Sequence, residues 1–208
     1  MSTETIPFTL GAASAALVAA RAAHSPKAVL VSTMTAMFAL DILGESARRI
    51  DSVPLMGGAG GLGLGIALAR PDVPVIVLDG DASLLMELGT LTTVAHNQPQ
   101  QYLHVVVNNR VQFNGITNFP LTHAEPTADF ATLAKGAGYA KTLCIDNYQD
   151  WVAALPELLD AKGCTFVDLR VQADRRMAGA ERPQPLIPDA QFVRMRMGVR
   201  KLKAELMA

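Results

Sequence analysis

The chain has 208 residues, half of them hydrophobic and 5% aromatic, with 18 Lys+Arg set against 19 Asp+Glu. A net charge of −1 offers no electrostatic grip on nucleic acid or an anionic membrane, and this much apolar content excludes a disordered chain. The length suits one α/β domain with a substantial core, and falls short of a subunit built from three such domains.

Gly11 to His24 is rich in Ala and Leu and reads as a helix that stops at Ser25-Pro26. Ala28 to Val31 reads as a first buried strand, and Thr35 to Arg49 as a second helix with Met37, Phe38, Leu40, Ile42 and Leu43 on its apolar face. From Pro54 the text is Pro-Leu-Met-Gly-Gly-Ala-Gly-Gly-Leu-Gly-Leu-Gly, and glycines this dense allow a backbone to approach a ligand or a neighbouring element closely. Within it, Gly58 to Gly63 satisfies Gly-x-Gly-x-x-Gly with Asp79 downstream, the outline of a dinucleotide site. That reading needs a strong apolar strand just before the glycines. Residues 50–54 make a poor one.

Residues 75–109 carry the densest chemical signal. Val75 to Leu78 and Leu103 to Val107 have the length and β-branched content of buried parallel strands, and each runs into Asp or Asn. Between them, Ser83 to about His96 places Leu84, Leu85, Leu88, Leu91 and Val94 near helical spacing. A strand-helix-strand unit brings the carboxyl ends of both strands to one sheet edge, and Asp81 close to Asn108-Asn109. Mg²⁺ takes oxygen donors and keeps few protein ligands when phosphate is present, which suits Asp81 and Asn109. The backbone N–H groups of Ala82, Ser83 and Leu84 at the helix mouth suit a diphosphate. The plainer alternative is a buried unit whose Asp and Asn only cap loops.

Gly80-Asp81-Ala82 followed, 27 residues after Asp81, by Asn109 of the Asn108-Asn109 pair resembles the thiamine diphosphate fingerprint. The flanking text, Gly63 to Asp72 and Asp79 to Gly89, is similar to the small β subunits of sulfopyruvate and phosphonopyruvate decarboxylases, and the similarity extends over residues 28–172. The resemblance implies a doubly wound parallel sheet of the thiamine-diphosphate-binding (PP) type as a single domain. It implies thiamine diphosphate and Mg²⁺ as cofactors, with Asp81, Asn109 and the Val111 carbonyl on the metal. Gly80, Ala82 and Ser83 then fall on the diphosphate, and Ser32 and Thr33, with Met34, line the pocket. Pro54-Leu55-Met56-Gly57 falls at the family's Gly-Ser-Met-Gly, which makes Met56 the wedge that bends the cofactor. The Pro54 carbonyl accepts from its exocyclic amine there, a role that proline keeps. An ordinary core methionine is the other reading of Met56.

The resemblance further implies decarboxylation of a 2-oxo acid such as 3-sulfopyruvate or 3-phosphonopyruvate. The glutamate that activates the cofactor belongs to a domain this sequence does not carry, so a separate pyrimidine-binding (α) subunit is the expected partner in a hetero-oligomer. After Asn109 the relatives carry a Gly-Gly-Gln-Pro-Thr-like turn, whereas this chain has Asn114 to Pro120. That difference leaves a carboligase or aldehyde-forming lyase as an alternative, alongside a regulatory subunit that retains the fold. Arg110, Gln112, Asn114 and Asn118 either meet an anionic substrate or satisfy a polar loop.

Downstream, residues 127–136 read as a helix, 140–144 as a strand, 147–159 as an amphipathic helix with the only tryptophan, and 165–171 as a last strand. Residues 1–180 are expected to form the cofactor-binding domain; 181–208 read as a proline-rich linker and a basic amphipathic helix, packed on its own subunit or on a partner. Glu87 reads as a solvated residue, His96 as a helix end, and His104 as a strand residue without a ligand-spaced partner. Cys144 and Cys164 read as buried thiols. The absence of a leader or a long apolar run leads to the expectation of a soluble, cytoplasmic protein.

Overall fold

A computed structural model of the chain describes residues 7–112, 119–120, 128–172 and 190–207. In chain order the elements are α1 (Leu10–His24), β1 (Val29–Ser32), α2 (Met34–Ile42), β2 (Arg49–Asp51), α3 (Gly58–Ala69), β3 (Val75–Gly80), α4 (Asp81–Met86), α5 (Thr90–Asn97), β4 (Gln101–Asn108), β5 (Val111–Gln112), β6 (Phe119–Pro120), α6 (Phe130–Ala137), β7 (Lys141–Ile145), α7 (Tyr148–Asp160), β8 (Gly163–Arg170) and α8 (Ala190–Met207). Six of the strands form one sheet in the order β2-β1-β3-β4-β8-β7, every pairing parallel. The short β5 and β6 pair separately and antiparallel.

Both sheet faces are buried because apolar residues occupy both phases of each strand. Leu30, Ile76, Leu78, Leu103, Val105, Val107, Val167 and Leu169 join one core with Leu17 of α1, Leu40 of α2 and Trp151 of α7. The alternate residues Val31, Ile50, Val75, Val77, Tyr102, Val106 and Phe166 join a second core with Leu64 of α3, Leu91 and Val94 of α5, Phe130 of α6 and Leu202 of α8. Trp151 is fully buried and its Nε1–H donates to the Ala13 carbonyl at 3.0 Å, so the tryptophan fastens α7 to α1. The expected doubly wound parallel sheet is present.

Glycine sets how closely α3 lies on the sheet. A Cβ on Gly63 would come within 2.5 Å of Val77 Cγ2, and one on Gly60 within 2.8 Å of Thr90 Cγ2. Gly60 and Gly63 therefore serve helix packing, whereas a Cβ on Gly61 or Gly65 would meet nothing within 4 Å.

Three local expectations are corrected. The helix expected to reach Arg49 ends at Ile42; Gly44 follows at φ +68°, and the chain turns to pair Arg49–Asp51 with β1 as an edge strand. Hydropathy misses β2 because its arginine is buried by hydrogen bonds rather than by apolarity: Arg49 donates to Asp51 Oδ1, the Glu45 carbonyl and the Met37 carbonyl at 2.7–2.8 Å. The helix expected over 83–96 is two, α4 and α5, separated at Glu87–Gly89, which re-aims Leu91, Val94 and Ala95 at the sheet. Of the two thiols, Cys164 is buried and Cys144 exposed.

Helix α8 lies against its own subunit and covers the β2 edge, which removes an open strand edge. Leu202 is buried there, Glu205 accepts from the Arg48 N–H at 2.9 Å, and Arg70 donates to the Leu206 carbonyl. Among the described residues no helix is long and apolar enough to cross a membrane.

Candidate active site

The strand order reverses between β1 and β3, so the connections leaving their carboxyl ends run to opposite sides and leave a crevice there. Asp81 sits at that edge as the first residue of α4 and is 2% exposed. Its Oδ1 accepts from the Ala82 N–H and its Oδ2 from the Arg110 N–H, both at 2.8 Å. Arg110 reaches back because it adopts the left-handed conformation at φ +58°. The ends of β3 and β4 are thus joined through one carboxylate, between Asp81 and the residue that follows Asn109. The Ala82 N–H, expected to be free for a diphosphate, is engaged by Asp81.

Burial pushes the Asp81 carboxyl up to about 6, against the two N–H donors, and the charge of Asp168 adds to the rise. Among the described residues no lysine or arginine pairs with it. A buried carboxylate held only by backbone dipoles suits a hard cation, which would favour its charged form. No group of three His, Cys, Asp or Glu side chains suited to a metal occurs among the described residues. A cation at Asp81 could draw on its carboxylate, the Asn109 amide and backbone oxygen, with phosphate completing the shell. Asn109 is itself buried, and Val111 follows as the first residue of β5.

The loop between β2 and α3 forms the adjoining wall. Its Val53-Pro54 peptide bond is cis, Pro54 and Leu55 are exposed, and Met56 is half-buried and belongs to neither core. The ordinary-core reading of Met56 therefore has no support in its position. Gly57 donates its N–H to Ser83 Oγ at 2.8 Å, which ties this loop to α4 and uses the Ser83 side chain. Gly57 has φ +84°, and a Cβ there would lie 2.4 Å from Glu87 Cγ, so both conformation and space demand glycine. On the far side, Thr33 Oγ1 donates to the Ser52 carbonyl at 2.9 Å and Ser52 Oγ to the Leu55 carbonyl at 3.1 Å. Ser32 is fully buried and its hydroxyl donates to Asp51. Ser32 and Thr33 thus brace the wall of the crevice with their hydroxyls.

Sequence reasoning passed over several groups near the site. Asn108 donates to Asp168 Oδ1 at 2.9 Å and Arg170 to its Oδ2 at 3.0 Å, so the Asn108 side chain supports β8. Burial raises the Asp168 carboxyl, with Asn108 and Arg170 opposing the rise. A polar residue ending β8 was the available signal. His104, expected to stand alone, lies 3.0 Å from the Tyr139 hydroxyl through Nδ1 and 3.6 Å from Asp79 Oδ2 through Nε2. Glu87 is exposed and His96 lies in the last turn of α5, each as expected. Asn114 and Asn118 lie outside the described residues, and nothing is described of the Gln112 side chain. A hollow of about 540 Å³ bordered by Gln98, Gln100, Lys162 and Cys164 opens at the amino-terminal edge of the sheet, the edge opposite Asp81.

Comparison with known proteins fits this geometry. Residues 34–169 match the family described as "Thiamine pyrophosphate enzyme, C-terminal TPP binding domain". The chain is 33% identical over 166 residues to a phosphonopyruvate decarboxylase from Streptomyces hygroscopicus, covering 78% of this chain and 40% of that protein. It is 33% identical over 120 residues to the sulfopyruvate decarboxylase subunit beta of Methanocaldococcus jannaschii, covering 58% of this chain and 62% of that one. Benzoylformate decarboxylase from Polynucleobacter necessarius superposes with a TM-score of 0.58 at 20% identity over 77% of this chain and 33% of that structure, a likeness of fold. The match across most of the sheet, with the Asp81 and Asn109 strand ends inside it, shows that the chain belongs to the C-terminal TPP-binding domain family of thiamine pyrophosphate enzymes.

Proposed function

We propose that this chain is the diphosphate- and Mg²⁺-binding subunit of a heteromeric thiamine-diphosphate-dependent 2-oxoacid decarboxylase, acting on an anionic substrate such as 3-sulfopyruvate or 3-phosphonopyruvate. The observation that carries the reading is the Asp81 carboxylate, buried at the joined ends of β3 and β4 without a side-chain cation among the described residues. Asp81, the Asn109 amide and the Val111 carbonyl hold Mg²⁺, and Gly80, Ala82 and Ser83 form the turn beside the diphosphate. Met56 supports the cofactor rings from the adjoining loop, with the Pro54 carbonyl as an acceptor. When bound, thiamine diphosphate supplies the carbon nucleophile and the electron sink for loss of CO₂. The residues of this chain bind, orient and exclude water.

Leu55, Leu85 and Met86 are 60%, 41% and 50% exposed on the loop and helix bordering the crevice. Apolar side chains so placed favour a separate pyrimidine-binding subunit covering this edge and completing the site. The Asn114 to Pro120 text, unlike the relatives' turn, favours carboligation or an aldehyde-forming lyase as the second reading. The test is CO₂ release from 3-sulfopyruvate, 3-phosphonopyruvate and pyruvate by the chain alone and mixed with a pyrimidine-binding partner, Mg²⁺ and thiamine diphosphate. Release only in the mixture is expected. No release from any of them, with ligated product formed on adding an aldehyde, moves the assignment to the carboligase.

A further inference from the structure

Beneath α3 the second core contains polar groups that a packed interior does not require. Asp79 is 1% exposed and His104 fully buried, on neighbouring strands among Val77, Val106 and Phe166. Asp79 Oδ1 accepts the Gly80 N–H at 2.8 Å. Its Oδ2 has no hydrogen-bond partner and faces His104 Nε2, also without one, at 3.6 Å. His104 Nδ1 lies 3.0 Å from the Tyr139 hydroxyl. Burial raises the Tyr139 hydroxyl far above its ordinary range, which keeps it a neutral phenol, and with a carboxylate oxygen, an acceptor, opposite Nε2 the phenol is the donor to Nδ1. Nδ1 then accepts, and the imidazole proton sits on Nε2, directed at Asp79. The ring cannot swing away: Phe166 packs edge-on at 5.3 Å, and Gly60 of α3 closes over His104 Cε1.

Leaving a buried carboxylate oxygen short of a full hydrogen bond costs more than the apolar residue that this strand accepts on the same face at Val75 and Val77. What Asp79 does beyond packing is grip the Gly80 N–H, in the turn that swings the chain from β3 to Asp81. We infer that Asp79, held in place by His104 and Tyr139, is a positioning residue that fixes the Gly80 turn and thereby sets where the Asp81 carboxylate meets the cation. The role rests on Asp81 being a cation ligand. Asp79 touches neither cation nor cofactor and acts through the backbone, as groups behind metal ligands do.

Three substitutions and an amide readout test it. In ligand-free protein, Asp79→Asn keeps an oxygen for the Gly80 N–H and leaves the amide resonances of Gly80, Asp81 and Arg110 near their wild-type positions. Asp79→Ala displaces all three and speeds amide exchange at Gly80. In Mg²⁺ titrations with thiamine diphosphate present, the Ala variant loses about 10- to 100-fold in affinity and the Asn variant stays within about threefold of wild type. Tyr139→Phe removes only the hydroxyl: the ring proton stays on Nε2, facing Asp79, while loss of the anchor at Nδ1 moves the Gly80 amide resonance; this reads the relay even where Asp79→Ala does not fold. Unmoved Asp81 and Arg110 amides in a folded Asp79→Ala, or an unmoved Gly80 amide in Tyr139→Phe, overturns the inference. A wild-type chain with its partner that takes up no cofactor overturns the cation reading of Asp81 instead, while the ligand-free amide resonances still decide what Asp79 positions.

Discussion

Asp81 and Asp51 are both buried carboxylates at the carboxyl edge of the same sheet, 2% and 7% exposed, yet their surroundings are opposite in kind. Asp51 ends β2 and accepts from Ser32 Oγ, Arg49 Nε at 2.8 Å and Arg194 Nε at 2.7 Å. The protein supplies its countercharge twice over, once from its own strand and once from α8. Asp81 receives two backbone N–H groups, and a second carboxylate, Asp168, raises it further. A carboxylate closed by arginines is finished as structure; one closed only by dipoles is left for a cation from outside. On the proposed reading, the sheet separates the part that holds its edge together from the part that binds.

The largest effect follows from removing the unfinished carboxylate. Asp81→Ala should lower Mg²⁺-dependent retention of thiamine diphosphate by about 100-fold or more, because a charged ligand to the ion is lost. Equilibrium dialysis with and without Mg²⁺ checks this, and wild-type retention would remove Asp81 from the metal site. Breaking the finished one should cost stability and leave cofactor affinity alone. Arg194 pairs with Asp41 as well as Asp51, so Arg194→Leu removes α8's grip on two elements at once. Arg49 still serves Asp51 and Arg194 is partly exposed, so the loss should be about 2 kcal/mol, below that of breaking a fully buried pair. Urea melts of the chain measure it. A large fall in cofactor affinity with an unchanged melt would show the two carboxylates to be one system.

The same contrast explains what was legible in the sequence. The Asp81 region is local: two apolar runs of the right length, a polar residue at each end and one helical connection fix both topology and proximity, and Asp81 and Arg110 meet accordingly. The Asp51 region is not local. Arg194 lies 143 residues from Asp51 and Ser32 lies 19 away, and no periodicity links such partners. The β2 strand was missed for the same reason, its burial resting on the hydrogen bonds of Arg49. His104 and Asp79 looked like an isolated strand histidine and the acidic residue of a dinucleotide motif until parallel register set Asp79 opposite Val106 and brought their side chains to one face. Hydropathy registers apolar alternation and is silent on polar atoms that pair across strands.

A smaller effect tests the loop braced between the two regions. Met56 is held from the Asp51 side through Thr33 and Ser52 and from the Asp81 side through Gly57 and Ser83. Met56→Ala should lower turnover of the assembled enzyme roughly tenfold with little change in cofactor affinity, since shaping the rings matters more to the reaction than to binding. An equal fall in both would make Met56 a plain contact, and wild-type turnover in a folded variant would remove the assignment.

The smallest effect is the most discriminating, because its sign separates the two kinds of carboxylate. Burial raises the Asp81 carboxyl from 3.8 to about 6. A raised folded-state pKa means that the folded protein holds the proton more tightly, so the destabilisation is fully present above about pH 6 and fades as pH falls toward 3.8. About two pKa units correspond to roughly 3 kcal/mol, from which Asn in place of Asp gives back part, since an amide offers one oxygen where two N–H groups need acceptors. Without divalent cations, Asp81→Asn should therefore be more stable than wild type by about 1 kcal/mol at pH 8, the advantage should vanish near about pH 5, and wild type should be the more stable by about pH 4. Saturating Mg²⁺ with thiamine diphosphate should reverse the order at pH 8, since only the carboxylate gains from the ion. A wild-type chain already the more stable at pH 8 without cation would mean that Asp81, like Asp51, is satisfied by the protein alone.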